Sequence, residues 1–406
     1  MDNIVVIGGG ASGIVSAISI KKNNSDVRVT VLERNNSCLK KLLMTGNGKC
    51  NYFNDVQSTD KYYSQNMDIV NNIITDDNMK KVINFFDRLG IIYKKKNGYY
   101  YPFSNQATTI KDALLLEANR VGVEIKTNCL VKDIKTIDNG FSVICDDEVI
   151  NCSKVIISCG SRAYPKTGSD GMGYDFLKRL GHTIIKPLPA LVPMISDFKH
   201  CKDWAGIRTD AVLSLYEDDK FISSESGELQ LTDYGISGIC TFNLSHVVTR
   251  GLDNNKNEKM LINFVPFIDG NVYDWLNEYS SLCSYKNICE LLDGFLNSKL
   301  VNVILKYCGI DGNLKYSEID DNKKNKLVNY LESFPINIIG VKSFDFSQVC
   351  NGGVSLKEIN PNTFESLIVP NLYISGELLD INGICGGYNL TIAWLSGILI
   401  GKGVIK

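Results

Sequence analysis

IVVIGGGASG, residues 4–13, stands close to the start of the chain and decides the fold of its first part. Its four apolar residues predict a buried strand, and the glycines that follow predict a tight turn into a helix over 14–22. A second apolar run, over 27–32, ends at Glu33. Together these segments predict a β-α-β unit with a glycine turn at its centre.

The glycine turn and Glu33 have the spacing of a dinucleotide site. Such glycines let the backbone approach a pyrophosphate, and the N-terminal amides of the helix attract its negative charge. Glu33 follows Gly13 by about 20 residues, the spacing at which a carboxylate accepts hydrogen bonds from a ribose. An acid there disfavours a ribose phosphate, so the predicted nucleotide is FAD or NAD rather than NADP. The alternative is an ordinary strand-helix turn with a surface glutamate.

A second group of glycines, near the C-terminus, bears on the choice between FAD and NAD. LYISGE, residues 372–377, is a strand that ends in a glycine and an acid, and GGYN, residues 386–389, precedes an apolar helix expected over 390–400. The acid could bind a ribityl chain, and the helix N-terminus could stabilise the charge of reduced flavin. An NAD domain has no use for such a distant segment, so we predict FAD. A glycine-rich turn that caps a core helix is the alternative.

The composition excludes several classes of protein. The chain has 406 residues, 44% of them hydrophobic, with 43 basic and 45 acidic residues and a net charge of -2. This balance predicts no nucleic-acid partner and no membrane-surface partner. The 13 cysteines form no CxxC pair and the three histidines have no metal-ligand spacing, so we expect reduced cysteines, no metal site and no dithiol reductase. We expect no signal peptide and no membrane span, and hence a cytoplasmic protein.

The hydrophobic pattern divides the chain into four parts of an α/β protein. Short β-like runs separated by turns fill the second part, and helical stripes fill the third. The expected parts are 1–189, the first portion of the FAD domain; 190–270, an inserted β-barrel-like domain; 271–335, a helical subdomain; and 336–406, the returning FAD domain.

Within the first part, the same pattern predicts further elements. A helix is expected over 67–89, an extended segment over 91–101 and another helix over 108–121. An antiparallel meander is expected over 123–150.

Several longer segments, in this order, resemble a known family. They include GGGASG, TGNGKCNYFN, GYYYPFSNQA, IISCGSRAYPKTGSDG, LTDYGISG and the C-terminal run that ends in GGYNL. The chain is similar to bacterial FAD proteins that include aminoacetone-oxidase-like and dehydro-bile-acid-reductase-like (BaiN-type) flavoproteins. The resemblance implies a Rossmann-like FAD domain of glutathione-reductase type, with an inserted β-barrel and a small helical subdomain.

The resemblance also implies which residues contact FAD. The pyrophosphate is expected at the glycine turn, the ribose at Glu33, the adenine near Val131, and the flavin beside two later segments. The full set is Gly8, Gly10, Ala11, Ser12, Gly13, Glu33, Arg34, Thr45, Gly46, Gly48, Lys49, Cys50, Asn51, Val131, Cys159, Gly160, Gly376, Glu377, Asp380, Gly387, Tyr388, Asn389 and Leu390. The sequence departs from the family at four positions, which leaves the substrate open: Lys49 stands for a common arginine, Asp233 for a histidine, and Ile239 and Ile384 for frequent prolines.

The function implied by the resemblance is an FAD-dependent oxidoreductase that acts on a small molecule. The leading hypothesis is reduction of an activated C=C bond in a steroid-like, bile-acid-like or other enone, with NADH or NADPH as electron donor. A tyrosine would supply the proton, and Tyr164, Tyr234 and Tyr388 are the candidates. The alternatives are an aminoacetone-like amine oxidase that produces hydrogen peroxide and a flavin-binding sensor without enzymatic activity.

Other conspicuous residues have ordinary explanations that we weigh against functional ones. Cys50 has no partner at dithiol spacing, so packing is favoured over redox chemistry. The aromatic run 99–103 could line a pocket for a flat substrate, but core packing is favoured. His182 is expected to satisfy a carbonyl at a helix C-terminus, and the lysines 94–96 to face solvent.

Overall fold

The computed structural model describes residues 2–404, which divide into two compact units. The Rossmann unit comprises the described parts of Met1–Leu188 and Gln348–Lys406. The barrel unit comprises Pro189–Ser347. The Rossmann unit is therefore built from both ends of the chain.

The Rossmann unit begins with twelve strands and five helices in chain order. The strands are β1 (Asn3–Ile7), β2 (Arg28–Leu32), β3 (Phe53–Asn54), β4 (Tyr62–Tyr63), β5 (Tyr93–Lys96), β6 (Tyr99–Pro102), β7 (Glu124–Lys126), β8 (Val131–Ile137), β9 (Gly140–Cys145), β10 (Val149–Cys152), β11 (Lys154–Ile157) and β12 (Ile184–Ala190). The helices are α1 (Ala11–Asn23), α2 (Met67–Ile73), α3 (Asp76–Arg88), α4 (Ala107–Arg120) and α5 (Met172–Arg179).

The barrel unit and the returning segment supply the other elements. In the barrel unit these are β13 (Met194–Ser196), α6 (Cys201–Trp204), β14 (Arg208–Glu217), β15 (Lys220–Leu231), β16 (Gly235–Gly238), α7 (Ile239–Asp253), β17 (Glu258–Asn263), α8 (Val272–Leu282), α9 (Ile288–Leu292), α10 (Ser298–Cys308), α11 (Asp321–Glu332) and β18 (Phe334–Val341). The returning segment adds β19 (Val349–Val354), β20 (Leu372–Ile374), β21 (Asn382–Gly383) and α12 (Tyr388–Gly403).

A five-stranded parallel sheet organises the Rossmann unit, in the order β20-β11-β1-β2-β7. Strand β1 lies in the middle, and its apolar residues are buried on both faces, as a parallel sheet covered by helices requires. Strand β20 comes from the returning segment and pairs with β11. The carboxyl ends of β1, β2, β11 and β20 therefore meet at one edge, where ligands bind in open α/β sheets.

Helices α1 and α12 pack closely against each other. A Cβ atom on Gly397 would lie 2.8 Å from Ser12 O, and one on Gly401 would lie 2.2 Å from Ser19 Cβ. Only glycine permits this approach, because any side chain would overlap the facing helix. The C-terminal helix is thus packed against the helix that follows the glycine turn.

Four smaller sheets complete the Rossmann unit. They are the meander β8-β9-β10, the sheet β3-β6-β5 and the pairs β4-β21 and β12-β19. The single helix predicted over 67–89 is wrong, because the chain breaks after Ile73 and begins α3 at Asp76. Thr75 causes the restart, since its side chain accepts a hydrogen bond from the Asn78 amide and caps the new helix.

The barrel unit contains a closed barrel in the order β13-β16-β15-β14-β17-β18. The last strand follows helices α8–α11, so the helical segment lies inside the sequence of the barrel, and the two share one hydrophobic core. The chain returns to the Rossmann unit at Gln348, later than the expected 336, because β18 is needed to close the barrel. The predicted α/β fold, with a Rossmann sheet and an inserted barrel, is confirmed.

Among residues 2–404, no helix combines the length and apolar character that crossing a membrane requires.

Candidate functional site

Three of the four glycines in GGGASG, namely Gly8, Gly10 and Gly13, have different surroundings. Gly8 has φ +105°, and a Cβ there would lie 2.5 Å from Ser158 O on the next strand. A Cβ on Gly13 would lie 2.0 Å from Gly8 O, so helix and turn are in direct contact. At Gly10 the nearest atom would be 4.0 Å away. The outer glycines are therefore required by packing, while the middle one leaves space for a ligand to approach the backbone.

The N-terminus of α1 is prepared for an anion. Its N-cap, Gly10, makes no side-chain hydrogen bond, and its first turn contains no acidic residue. The amides of Ala11, Ser12 and Gly13 therefore receive no side-chain cap, and no acid within the first turn of the helix neutralises the positive end of its dipole. This arrangement fits the pyrophosphate predicted from the sequence.

Glu33 is held rigidly at the end of β2. Its carboxylate is buried and accepts a 2.8 Å hydrogen bond from the Gly9 amide on Oε2. Its Oε1 accepts bonds from the backbone amide of Asn35 at 2.8 Å and from the Asn35 side chain at 2.7 Å. An ionised carboxylate has about four acceptor positions, so capacity for a ribose hydroxyl remains.

Arg34 and Val131 lie near this acid but differ in role. The Arg34 guanidinium pairs with Asp170, which ties the end of β2 to the loop after β11. Val131 is the buried first residue of β8, and the preceding Cys129 amide donates to Glu33 O at 2.9 Å. The chain just before Val131 is thus bonded to the backbone of Glu33, whereas Arg34 links β2 to the loop after β11.

Cys159 and Gly160 follow β11 at the same sheet edge. A Cβ on Gly8 would lie 2.9 Å from Cys159 Cα, so the end of this strand packs against the glycine turn. Gly160 has φ +75°, a left-handed conformation that favours glycine. Burial raises the pKa of Cys159 to about 12, so its thiol is neutral at physiological pH.

The TGNGKCN segment, residues 45–51, forms an irregular turn. The 3-10 helix Leu42–Gly48 is interrupted at Thr45–Asn47, and Gly46 has φ +56° while Gly48 has φ +80°. Lys49 is exposed. The Thr45 hydroxyl donates to Leu42 O at 2.7 Å. The segment is thus an irregular loop whose backbone conformation depends on glycines with positive φ.

Cys50 and Asn51 anchor that loop to the interior. Cys50 is fully buried, and burial raises its pKa to about 12. It therefore stays protonated, which supports packing over redox chemistry. In the amide orientation that satisfies its partners, Asn51 donates to Phe53 O at 3.0 Å and to Tyr100 O at 3.2 Å.

Glu377 is engaged by protein groups that the sequence did not suggest. Its Oε2 accepts from Lys41 Nζ at 2.6 Å and from Ser161 Oγ at 3.0 Å. Lys41 precedes the TGNGKCN segment, so this ion pair joins it to the end of β20. The position of Lys41, just before the TGNGKCN segment, is the feature of the sequence that could have indicated a partner for Glu377.

Asp380 and Asn389 hold the chain before α12 in place. Asp380 is buried and accepts from the Gln65 amide at 2.8 Å and from Ser64 Oγ at 3.2 Å. Asn389 Oδ1 accepts from the Gly383 amide at 2.8 Å, and its Nδ2 donates to Gly383 O at 2.7 Å. In the structure both side chains bind protein backbone, so the segment offers a ligand mainly its backbone amides.

The N-terminus of α12 resembles that of α1. Its N-cap Gly387 has φ +95° and makes no side-chain cap, and the first turn lacks an acid. A Cβ on Gly387 would lie 2.9 Å from Phe53 C, so the turn packs against β3. The amides of Tyr388, Asn389 and Leu390 are therefore placed to stabilise a developing negative charge.

The three tyrosine candidates lie in different settings. Tyr388 is buried against Tyr62, with ring centroids 5.5 Å apart, and burial raises its pKa to about 12. Tyr164 is partly exposed and has φ +55°. Tyr234 belongs to the barrel unit, where Lys342 Nζ lies 3.7 Å from its ring centroid. Tyr388 and Tyr164 therefore share a unit with the glycine turns, and Tyr234 does not.

His182 makes the expected contact with its backbone and further contacts with its side chain. Its Nδ1 pairs with Glu358 Oε2 at 3.0 Å, and its Nε2 pairs with Ser366 Oγ at 2.9 Å. Only its backbone amide meets a helix C-terminal carbonyl, that of Leu177, at 2.9 Å. The expected carbonyl is thus satisfied by the backbone, and distant residues supply side-chain partners that local sequence does not reveal. Over residues 2–404, no group of three or more His, Cys, Asp or Glu residues could hold a metal ion.

These residues fit an FAD molecule. Two helix N-termini without side-chain caps or first-turn acids offer amides to anions, and a fixed carboxylate stands at the end of β2, where the sequence predicts the ribose. Gly10 leaves space at the backbone where a pyrophosphate would lie. The same set could supply binding and orientation, while the redox chemistry would come from the cofactor.

Comparisons with known proteins agree with this interpretation. Residues 2–403 match the family described as HI0933-like protein Rossmann domain. A 3-dehydro-bile acid delta(4,6)-reductase from Clostridium scindens is 36% identical over 403 residues, which cover 99% of this chain and 98% of the relative. A ribosomal RNA dihydrouridine synthase from Escherichia coli is 25% identical, covering 97% of this chain and 95% of the relative.

A solved structure shares the fold at much lower sequence identity. It is that of 3-ketosteroid-delta4-(5alpha)-dehydrogenase from Rhodococcus jostii, with a TM-score of 0.52 and 13% identity, over 100% of this chain and 97% of that one. This likeness concerns architecture alone, whereas the family match and the 36% identical relative extend over nearly the whole sequence. The chain therefore belongs to the HI0933-like Rossmann family and is an FAD-dependent oxidoreductase.

Proposed function

We propose that the protein reduces a C=C bond conjugated to a carbonyl group in a steroid-like or other enone, with NADH or NADPH as electron donor. The observation that carries this proposal is the 36% identity, over 99% of the chain, to a reductase of 3-dehydro bile acids. That name describes a steroid whose ring carbonyl is conjugated to the bonds that are reduced. The N-terminus of α12 supports the proposal, because its amides could stabilise the negative charge of reduced flavin.

The chain's own residues would perform binding, orientation and charge stabilisation. FAD, when bound, supplies the hydride transfer. The first turn of α1 and the carboxylate of Glu33 would hold the dinucleotide. The amides at the start of α12 would stabilise negative charge on the reduced flavin. The two hydrogen bonds between the Asn389 side chain and the Gly383 backbone would keep those amides aligned.

Tyr388 is the proposed proton donor. Hydride addition to an enone leaves negative charge that is quenched when the carbon next to the carbonyl receives a proton. The raised pKa of Tyr388, about 12, means that its Oη holds a proton at neutral pH, ready for donation to a more basic enolate. Tyr388 also belongs to the first turn of α12, whereas Tyr164 lies on a partly exposed loop.

The reaction can be tested through the absorbance of the bound flavin. The purified holoprotein is reduced without oxygen by NADH or NADPH and then offered a 3-oxo-4-ene steroid. We expect rapid recovery of oxidised flavin with the steroid, together with a saturated product. Reduction by an amine such as aminoacetone, with recovery only in air and peroxide formation, would establish the oxidase alternative instead.

A second candidate is reduction of the uracil ring within RNA. Two relatives, from Escherichia coli and Haemophilus influenzae, are named ribosomal RNA dihydrouridine synthases and are 25% and 26% identical. Dihydrouridine differs from uridine by a reduced C=C bond conjugated to a carbonyl, so the chemical step is related. The absence of an RNA partner, which the net charge of -2 favours, therefore stays a prediction. Recovery of flavin absorbance with unmodified ribosomal RNA, but not with steroid, would select this candidate.

Tyr388→Phe tests the proton donor. We expect flavin reoxidation by the enone to slow by about 100-fold, the usual size of a lost general acid, while reduction by the nicotinamide donor is unchanged. Stopped-flow absorbance separates the two half-reactions. Tyr93→Phe, an exposed tyrosine on β5, is the control. A comparable loss in Tyr164→Phe, with Tyr388→Phe unaffected, would move the assignment to Tyr164.

A further inference from the structure

The hairpin β5-β6 has two chemically different faces. On one face, Tyr100 is buried against Phe53, with ring centroids 5.2 Å apart in an edge contact. The neighbours of Tyr100 in sequence, Tyr99 and Tyr101, point to the opposite face because side chains alternate along a strand, and both stay partly exposed. The aromatic run is therefore core at one position and surface at the two beside it.

The Tyr99 and Tyr101 side of β6 contacts both segments expected beside the flavin. A Cβ on Gly386, just before α12, would lie 2.8 Å from Tyr99 Cε1. A Cβ on Gly46, in the TGNGKCN segment, would lie 3.7 Å from Tyr101 Cε1. The two rings thus bridge the segments that flank the expected cofactor.

Two lysines share this face without an acidic partner. Cross-strand pairing sets Lys94 opposite Tyr101 and Lys96 opposite Tyr99, so the four side chains lie on one side of the hairpin. Lys95, between them, lies on the other side and pairs with Asp55 at 3.0 Å. Within residues 2–404, no Asp or Glu lies within salt-bridge distance of Lys94 or Lys96. The face therefore combines two aromatic rings with two unneutralised cations.

We propose that Lys94, Lys96, Tyr99 and Tyr101 form a substrate-binding face for a flat conjugated ring system that carries a carboxylate. The rings offer apolar area to a planar ring, and the lysines attract the anionic group. This inference rests on the proposed function and adds a substrate class to it. Alternating aromatic and basic residues also suit single-stranded RNA. However, this patch has two lysines and the whole chain a net charge of -2, which favours a small anion.

The charge requirement can be tested by equilibrium binding to the oxidised holoprotein. The probes are a 3-oxo-4-ene steroid carboxylic acid and its methyl ester, which differ only in charge, and binding is followed by the change in flavin absorbance. We expect the wild-type protein to bind the acid on the order of five-fold more tightly, as befits a partly exposed charge pair. The double variant Lys94→Gln, Lys96→Gln should lose this preference and bind the ester unchanged. Lys95→Gln, on the opposite face, should retain it.

The aromatic requirement uses a second matched pair of variants. Tyr99→Leu and Tyr101→Leu should each weaken the binding of acid and ester alike, on the order of five-fold. Tyr93→Leu on the other face should not. The ratio of flavin to protein after purification reports whether each variant folds and retains FAD, and the lysine variants carry the test if a tyrosine variant does not.

Several outcomes would overturn the proposal. These are equal binding of acid and ester by the wild-type protein, a preference that survives in the lysine double variant, or no absorbance change with either steroid. So would displacement by a short uridine-rich RNA while acid and ester bind equally. A lysine-dependent preference without steroid reduction would instead refute the proposed reaction and leave the binding face in place.

Discussion

Helices α1 and α12 begin alike, yet their N-termini are completed by different parts of the chain. Each has a glycine N-cap without a side-chain hydrogen bond, and neither has an acid in its first turn. The α1 site is completed by Glu33, which follows in the same β-α-β unit. The α12 site is completed by β3, whose backbone packs on Gly387, more than 300 residues away in sequence.

The difference separates two kinds of binding site. At α1 the geometry is local, since spacing along the chain brings the carboxylate to the turn. At α12 the geometry is tertiary, since the Trp394 indole donates to Tyr52 O at 3.0 Å and the Gly387 turn packs against the Phe53 backbone. A change at α1 should act mainly on cofactor affinity, while a change at α12 should act on packing and redox behaviour together.

The largest expected effect comes from closing the space between the two helices. Alanine is favoured over glycine within a helix by about 1 kcal/mol. A Cβ on Gly401 would nevertheless lie 2.2 Å from Ser19 Cβ and 2.7 Å from the Ser19 carbonyl carbon. We expect Gly401→Ala to lower the free energy of unfolding by about 2–3 kcal/mol because the facing helix must move. Urea unfolding of the holoprotein measures this.

Lys402→Ala is the control for that change, because Lys402 is the exposed neighbour in the same helix. It should leave the midpoint of unfolding nearly unchanged. A Gly401→Ala variant more stable than the wild-type protein would show that α1 and α12 do not require this close approach.

Glu33→Gln is the next test and acts on the α1 side alone. Glutamine keeps the size but removes the charge, and an amide nitrogen would replace one of the oxygens that accept from Gly9 and Asn35. We expect FAD affinity to fall by about 10- to 100-fold, the effect of losing a charge-assisted hydrogen bond to a ribose and loosening the turn. Titration of cofactor-stripped protein with FAD measures the dissociation constant.

The control for Glu33→Gln is Glu124→Gln on the adjacent strand, where the acid pairs with Arg28 at the surface. Its FAD affinity should match that of the wild-type protein. A Glu33→Gln protein that retains FAD equally well would contradict the ribose assignment. The role of Glu33 would then be limited to its hydrogen bonds with Gly9 and Asn35.

Residue spacing predicted the sheet, the glycine turn and the place of Glu33 because these depend on near neighbours in sequence. It did not predict what Glu377 binds, because Lys41 reaches Glu377 only through the fold. The bond between Asn389 and Gly383 was also missed, although the two residues are near neighbours in sequence. Helix α7 also escaped prediction, since its apolar residues resemble the strands around it.

Two structural features have local sequence signals that the predictions above did not use. The Thr75 cap, followed by two acids, is a local signal for a new helix start. Side chains alternate between the two faces of a strand, so the sequence of β6 predicts that Tyr100 lies on one face and its neighbours on the other. The prediction above treated the aromatic run as a single unit.

Asn389 provides the finest test of the tertiary site. Asn389→Ala removes both bonds to Gly383 and should destabilise the turn before α12 by about 1–2 kcal/mol, seen as faster hydrogen exchange of the Gly383 amide. Asn389→Asp keeps the acceptor and adds a negative charge to the first turn of α12. That charge interacts favourably with the positive end of the helix dipole, but it repels negative charge on the reduced cofactor.

The two variants should therefore rank in one order for the stability of the turn and in a different order for the flavin midpoint potential. The aspartate variant is expected to retain more of the stability of the turn than the alanine variant, and yet to show the lower flavin midpoint potential in an anaerobic redox titration. If both potentials equal that of the wild-type protein while hydrogen exchange responds, α12 supports the fold without facing the flavin. The likeness between the two helix N-termini would then be structural only, and the negative charge of the reduced cofactor would have to be stabilised by other groups.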